Sequence, residues 1–312
     1  MKMFPALVAL LGVGIPTLWF IYRLLTKQKL RQLNGKVVLI TGASSGLGEA
    51  LAYEFYLAGS KVILGARRTN ELQRVKQELL DLKCETKYEL YKPCILTLDL
   101  SDIASIPDKV LEASNYFGVI DILVNNAGIS YRGDALYTST DVDMQLMTTN
   151  YLGTAALTKV VLPHMMRHGK GEIVVVSSVQ GKIAIPHRSA YAASKHATEA
   201  FFECLRAEVS HHNIHITMVS PEYIRTNLSL NALTASGAQY GQMDKTTAGG
   251  MAPRTAAQRI LEAVAWQRDD VIIAGFKPKA AIYLNFLLPS FYRYIMKKRA
   301  LAAPSSSSLE TQ

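Results

Sequence analysis

Seven short apolar runs, separated by helix-length amphipathic stretches, constrain this chain more than any other feature. The runs cover residues 37–40, 61–64, 95–98, 120–124, 173–176, 216–219 and 271–274. Between them lie residues 47–58, 71–82, 103–117, 144–162, 190–209 and 254–267. A run of four or five residues rich in Val and Ile suits a strand covered on both faces, as in a parallel sheet. Strict alternation of such strands with helices builds βαβ units with right-handed crossovers. The pattern predicts an α/β fold, a doubly wound seven-stranded parallel sheet, in one domain over residues 35–278.

Composition narrows the class. With 49% hydrophobic and 19% charged residues, the chain is too apolar and too sparsely charged to be disordered. Its 20 Gly and 11 Pro exclude a collagen-like repeat. Cys84, Cys94 and Cys204 are far apart, and their spacing matches neither a disulfide framework nor a zinc finger, so no metal site is expected.

The first 34 residues read as a membrane anchor with a basic flank. Residues 3–22, MFPALVALLGVGIPTLWFIY, hold no charge, and about twenty apolar residues in a helix span a ~30 Å hydrocarbon core. A cleaved signal peptide has a shorter apolar core and a small-residue cleavage site. Here the run ends in Trp19 and Tyr22, which suit the headgroup region, and then in Arg23, Lys27, Lys29 and Arg31. A cleaved signal or a buried core helix are the competing readings. The positive-inside rule sets Lys2 against four cations and places the catalytic domain in the cytosol, on a single-pass anchor in the endoplasmic reticulum membrane. The sequon Asn227-Leu228-Ser229 falls in the loop expected over the site, where a glycan would obstruct it, which fits the same orientation. The net charge of +9 is then attraction to a membrane surface rather than to nucleic acid.

Three further stretches are irregular. Residues 227–250 are polar and too long for an ordinary connection, so they are expected to form a lid or substrate loop. Residues 279–300 are apolar and aromatic, contain Pro289 and end in Lys297, Lys298 and Arg299. They are expected to form a helix at the domain edge or in the membrane interface. Residues 301–312, with four consecutive serines, are expected to be a disordered tail.

The chemistry concentrates after particular strands. The first strand runs into TGASSGLG at 41–48 and then a helix. In that setting Gly42 permits a tight turn, Gly46 lets backbone approach a pyrophosphate, and Gly48 allows close helix packing. The helix N-terminus offers free N–H groups to phosphate oxygens. The fourth strand ends in NNAG at 125–128, where Asn side chains can tie neighbouring strands. The fifth ends at Ser177-Ser178, and Tyr191 follows with Lys195 one helical turn beyond it. A phenol titrates near 10 and is a poor acid or base at neutrality. A nearby ammonium is expected to lower it, and Ser178 to polarise the carbonyl that Tyr191 protonates.

Taken together, 41–48, 125–128, Asn150, Ser178 and the Tyr191/Lys195 pair resemble the short-chain dehydrogenase/reductases in order and spacing, over roughly residues 36–275. The resemblance implies a Rossmann-type fold and a nicotinamide dinucleotide. It implies Tyr191, Lys195, Ser178 and Asn150 as catalytic residues, Asn150 holding a water that relays protons to Lys195. Ser178 would also bind substrate. Gly42, Ser45, Gly46, Leu47, Gly48, Arg67, Asp99, Asn126, Tyr191, Lys195 and Thr226 would contact the cofactor. The family's usual dimer face corresponds to helices 144–162 and 190–209, so a homodimer is expected. One departure stands out: the family's Pro-Gly after the sixth strand is Pro221-Glu222 here, and a Glu side chain must turn away or crowd the nicotinamide.

The second strand ends in Ala66-Arg67-Arg68 rather than in an acidic residue. Two guanidiniums there favour the 2′-phosphate of NADP over the ribose hydroxyl of NAD, unless they merely face solvent. The sequence therefore reads as a membrane-anchored oxidoreductase moving hydride between NADP(H) and a carbonyl or secondary alcohol of a lipophilic substrate, such as a lipid, steroid or retinoid. The alternative is a cofactor-binding regulatory protein with little turnover, for which Glu222 is the supporting feature.

Overall fold

A computed structural model describes residue 17, residues 32–83 and residues 86–302. The chain divides into two units, Met1–Gln32 and Leu33–Gln312. The expected spanning helix over residues 3–22 lies outside the described residues, apart from Thr17. No helix of the described residues is long and apolar enough to cross a membrane.

The second unit holds seven strands: β1 Val37–Thr41, β2 Lys61–Ala66, β3 Cys94–Thr97, β4 Ile122–Asn125, β5 Gly171–Val176, β6 Ile214–Pro221 and β7 Asp270–Ile273. All pair in parallel, in the order β3-β2-β1-β4-β5-β6-β7. The order reverses between β1 and β4, so the C-terminal ends of these two strands flank a crevice. This is the doubly wound sheet that the alternation of apolar runs predicts.

Alternation within each strand divides the core in two. Val38, Ile40, Val62, Leu64, Ile122 and Val124 face one side, against α1 (Gly46–Leu57), α2 (Thr69–Leu80) and the later helix α8 (Pro253–Ala265). Leu39, Ile63, Leu123, Ile173 and Val175 face the other. There they meet α3 (Ile106–Phe117), α5 (Gly153–Arg167) and α6 (Ser189–Val209). Covering both faces is why the runs show no polar alternation.

The stretch predicted as one helix over residues 144–162 is in fact α4 (Thr140–Met147), a wide π-type turn at Thr148–Leu152, and α5. Asn150 lies in the wide turn. Its Oδ1 accepts from the Ile129 N–H at 2.8 Å, and its Nδ2 donates to the Ile129 carbonyl at 3.0 Å. A side chain that captures a neighbouring strand's loop in this way holds the helix out of its regular winding.

After β6 come the long loop, the one-turn helix α7 (Lys245–Ala248), α8 (Pro253–Ala265) and β7. Residues 279–300 form no single helix. They belong to α9 (Phe276–Leu287) and α10 (Pro289–Ala302), which pack together as a hairpin. Pro289 opens the second helix because it has no N–H to give to a continuing one. Leu301 and Ala302 finish α10 rather than begin a tail, and residues 303–312 lie outside the described residues.

Candidate active site

The glycine loop leaves β1 and turns into α1. Gly42 (φ 69°) and Gly46 (φ 62°) occupy the left-handed region that glycine alone adopts freely. Gly48 is required for contact instead: a Cβ there would lie 2.2 Å from the Gly42 carbonyl oxygen and 2.5 Å from Asn126 Nδ2. The missing side chain therefore lets α1 press against the loop and the end of β4.

Hydrogen bonds join the two motifs across the crevice. Asn126 Nδ2 donates to the Thr41 carbonyl at 2.9 Å. The backbone N–H groups of Asn126 and Ala127 donate to Thr41 Oγ1 at 2.9 and 3.0 Å. Asn125 serves elsewhere, donating to Thr158 Oγ1 on α5 at 2.9 Å.

A cavity of about 830 Å³ runs along the C-terminal ends of the strands. Gly42, Ser45, Gly46, Leu47, Gly48, Arg67, Asp99, Asn126, Ser178, Tyr191, Lys195 and Thr226 all line it. Thr226 closes over the glycine loop, its Cγ2 3.0 Å from where a Gly46 Cβ would stand. Arg67 is exposed at the rim, while Arg68 Nη2 donates to Ser44 Oγ and Ser45 Oγ at 3.1 and 2.8 Å. One of the two expected guanidiniums thus orders the loop and the other stays open to the cavity. Asp99 is held by its own turn, accepting from the N–H and hydroxyl of Ser101 at 2.9 and 2.7 Å.

Tyr191 and Lys195 lie on α6, one turn apart and both buried. Ser178 and Tyr191 both line the cavity, and the Ser178 hydroxyl favours the ionised form of the phenol. Lys195 Nζ donates to the Val176 carbonyl at 3.0 Å and sits 5.9 Å from the centre of the Tyr191 ring. The expected lowering of the phenol is overturned in the protein alone. Burial holds Tyr191 above the ordinary phenol range, and the Ser178 hydroxyl and the Arg132 charge only partly offset this. Burial also pushes Lys195 down to about 8, against a smaller opposing pull from Glu199.

Asn150 does not line the cavity. It stands one layer behind, bonded to Ile129 and, through Nδ2, to Ser194 Oγ at 2.9 Å. Gly128 is where it comes nearest to Lys195: a Cβ on that glycine would lie 3.0 Å from Asn150 Oδ1 and 3.7 Å from Lys195 Nζ. Glu222 lines the cavity beside Gly275, both carboxylate oxygens lying 3.8 Å from where a Gly275 Cβ would stand. Its φ is not positive, so glutamate fits the backbone there without strain.

The profile described as "short chain dehydrogenase" matches residues 36–236. The chain belongs to the short-chain dehydrogenases. A relative in Anopheles gambiae, "Dehydrogenase/reductase SDR family protein 7-like", is 57% identical over 294 residues, covering 93% of this chain and 92% of that one. "Dehydrogenase/reductase SDR family member 7B" of Xenopus laevis is 49% identical over 300 residues, covering 95% and 90%. The crystal structure of a Burkholderia phymatum short-chain dehydrogenase/reductase in complex with NAD superimposes with a TM-score of 0.72. It covers 82% of this chain and 94% of its own at 22% identity, which shows a shared fold.

Membership in this oxidoreductase family does not account for one cluster beside Tyr191 that sequence reasoning missed. Arg132 donates to Asp244 Oδ2 at 2.7 Å and to the hydroxyls of Ser130 and Ser229 at 2.7 and 3.1 Å. Ser229 donates to the same carboxylate oxygen at 3.0 Å, and Arg188 lies 3.6 Å from it. Arg132 and Asp244 are 112 positions apart, so no local pattern joins them. The sequon's Ser229 is therefore buried in this cluster, although Asn227 is exposed.

Proposed function

We propose that this short-chain dehydrogenase transfers hydride between NADP(H) and a carbonyl or secondary alcohol of a lipophilic substrate. The observation that carries the reading is one continuous cavity with the glycine loop at one end and the Ser178–Tyr191–Lys195 group further along it. The residues present fit a dinucleotide. Gly42, Gly46 and Gly48 line the cavity at a helix N-terminus, where bare backbone and free N–H groups suit a pyrophosphate. When bound, the nicotinamide supplies or accepts the hydride. The Tyr191 hydroxyl, neutral at pH 7, donates the proton to the carbonyl oxygen, and Ser178 donates a second hydrogen bond to that oxygen. Lys195 holds the charge behind Tyr191 that steadies a developing phenolate.

Arg67, open at the end of β2, supports NADP over NAD. Ile183, Ile185, Leu233 and Met296 give the far end of the cavity apolar walls, which supports a lipophilic substrate. The anchor at residues 3–22 and its basic flank support single-pass attachment to the endoplasmic reticulum membrane, with the catalytic domain on the cytosolic side. Met144 and Leu152, exposed along the π-turn segment, support pairing of two copies there. A regulatory protein without turnover is not favoured, because Ser178, Tyr191 and Lys195 are all present in the cavity. The test is turnover by the purified full-length chain with NADPH or NADH on a panel of hydrophobic ketones. Binding of NADPH without turnover on any of them would overturn the reading.

A further inference from the structure

We propose that the α9–α10 hairpin seats on an anionic bilayer surface and that the cavity takes its substrate from the membrane there; this rests on the lipophilic-substrate reading above. Each helix of the hairpin has two different faces. Toward the cavity, α9 presents Lys277, Pro278 and Ala281, and α10 presents Tyr292, Met296 and Arg299. Tyr292 is buried, and its hydroxyl donates to the Ala184 carbonyl at 2.7 Å, fastening the hairpin beside the loop that follows Ser178.

The outward faces are apolar and uncovered. Phe276, Phe286 and Leu287 are 86%, 83% and 67% exposed, and Leu288, Phe291 and Tyr294 all exceed half. Scattered exposed apolar residues are ordinary, but a contiguous aromatic patch marks an interaction surface. Residues 276–302 also carry six cations, at 277, 279, 293, 297, 298 and 299, and no carboxylate.

That charge selects the occupant. A second copy meeting this face through a two-fold axis would bring two such cationic sets together, whereas the headgroups of anionic lipids attract them. Aromatic and leucine side chains with flanking Lys and Arg are the composition of a helix lying in the interfacial plane. The same two helices wall the cavity, so a lipid carbonyl can pass from the acyl layer toward Tyr191 without crossing bulk water.

The test uses the full-length chain in vesicles containing phosphatidylserine. With Trp19→Phe and Trp266→Phe removing the native tryptophans, Phe286→Trp is expected to be quenched by phospholipid with brominated acyl chains. Leu111→Trp, on the outer face of α3, is expected not to be. Emission from Phe286→Trp that is blue-shifted yet unquenched would show a protein contact and overturn the proposal, as would equal quenching at both positions. Docking in lipid takes the large apolar side chains of Phe286 and Leu287 out of water. The double variant Phe286→Asp/Leu287→Asp is therefore expected to raise KM for a vesicle-borne long-chain ketone by more than roughly tenfold. KM for a water-soluble short-chain ketone is expected to stay unchanged; an equal rise for both ketones, or for neither, would overturn entry from the membrane. Quenching needs no turnover, so a quenched but inactive protein would sink the oxidoreductase reading and uphold the docking.

Discussion

The Lys195 ammonium donates to the Val176 carbonyl oxygen at 3.0 Å, tying the catalytic helix to the end of β5. Burial at this place lowers Lys195 from 10.5 to about 8. Between those values the unfolded chain binds more protons than the folded one, so this residue's contribution to stability rises from about pH 8 to about pH 10.5. Below pH 8 its charge is held in the interior at a cost. Lys195→Met, without cofactor, is expected to melt higher than the parent protein at pH 7, and the gap is expected to shrink toward pH 10. Melting curves of both proteins across that range check it.

Tyr191→Phe is expected to lower turnover by about 10²–10⁴-fold, the usual size of general acid help. NADPH affinity should be retained, since the glycine loop that would cradle the pyrophosphate is untouched by the change. Stopped-flow hydride transfer alongside fluorescence titration of NADPH separates the two quantities.

Arg67→Asp is expected to shift preference from NADP toward NAD. The change removes a charge-assisted contact to the 2′-phosphate and adds a like charge, together a few kcal/mol at most. Arg68→Ala should act differently, weakening both dinucleotides, because Arg68 holds Ser44 and Ser45 in the loop. Dissociation constants for NADPH and NADH in each variant decide it; equal affinities in the unmutated protein would contradict the assignment of Arg67.

Gly48→Ala is expected to destabilise the protein by about 1–3 kcal/mol, as overpacking does. Both atoms that the new Cβ would meet, the Gly42 carbonyl oxygen and Asn126 Nδ2, belong to the bonded turn. A melting point lowered by about 2–4 °C for each kcal/mol, with dinucleotide affinity lost in parallel, is the outcome to look for.

Legibility followed the range of each interaction. The seven strands and the glycine loop were readable because a strand buried on both faces and a turn entering a helix leave local patterns. Ser178, Tyr191 and Lys195 were found through their spacing, and the structure gathers them in one cavity. The π-type turn at Asn150 was not readable, because the Ile129 backbone that sustains it lies 21 positions away. The division into α9 and α10 is hidden for a different reason: Pro289 lies inside one continuous apolar stretch, and its role as the first residue of α10 shows only in the folded chain. The height of the Tyr191 pKa escaped too, since burial is a property of the folded chain.

The cluster around Arg132 has a consequence for anyone redesigning this enzyme. It joins residues 130–132 to residues 229–244, and the same two segments exchange backbone hydrogen bonds, Leu233 N–H to the Ser130 carbonyl at 2.9 Å and Arg132 N–H to the Leu233 carbonyl at 2.8 Å. Replacing either segment alone with that of a relative would strand a charge in a nearly dry interior. Grafting a new specificity into this scaffold therefore means transplanting both loops as a matched pair.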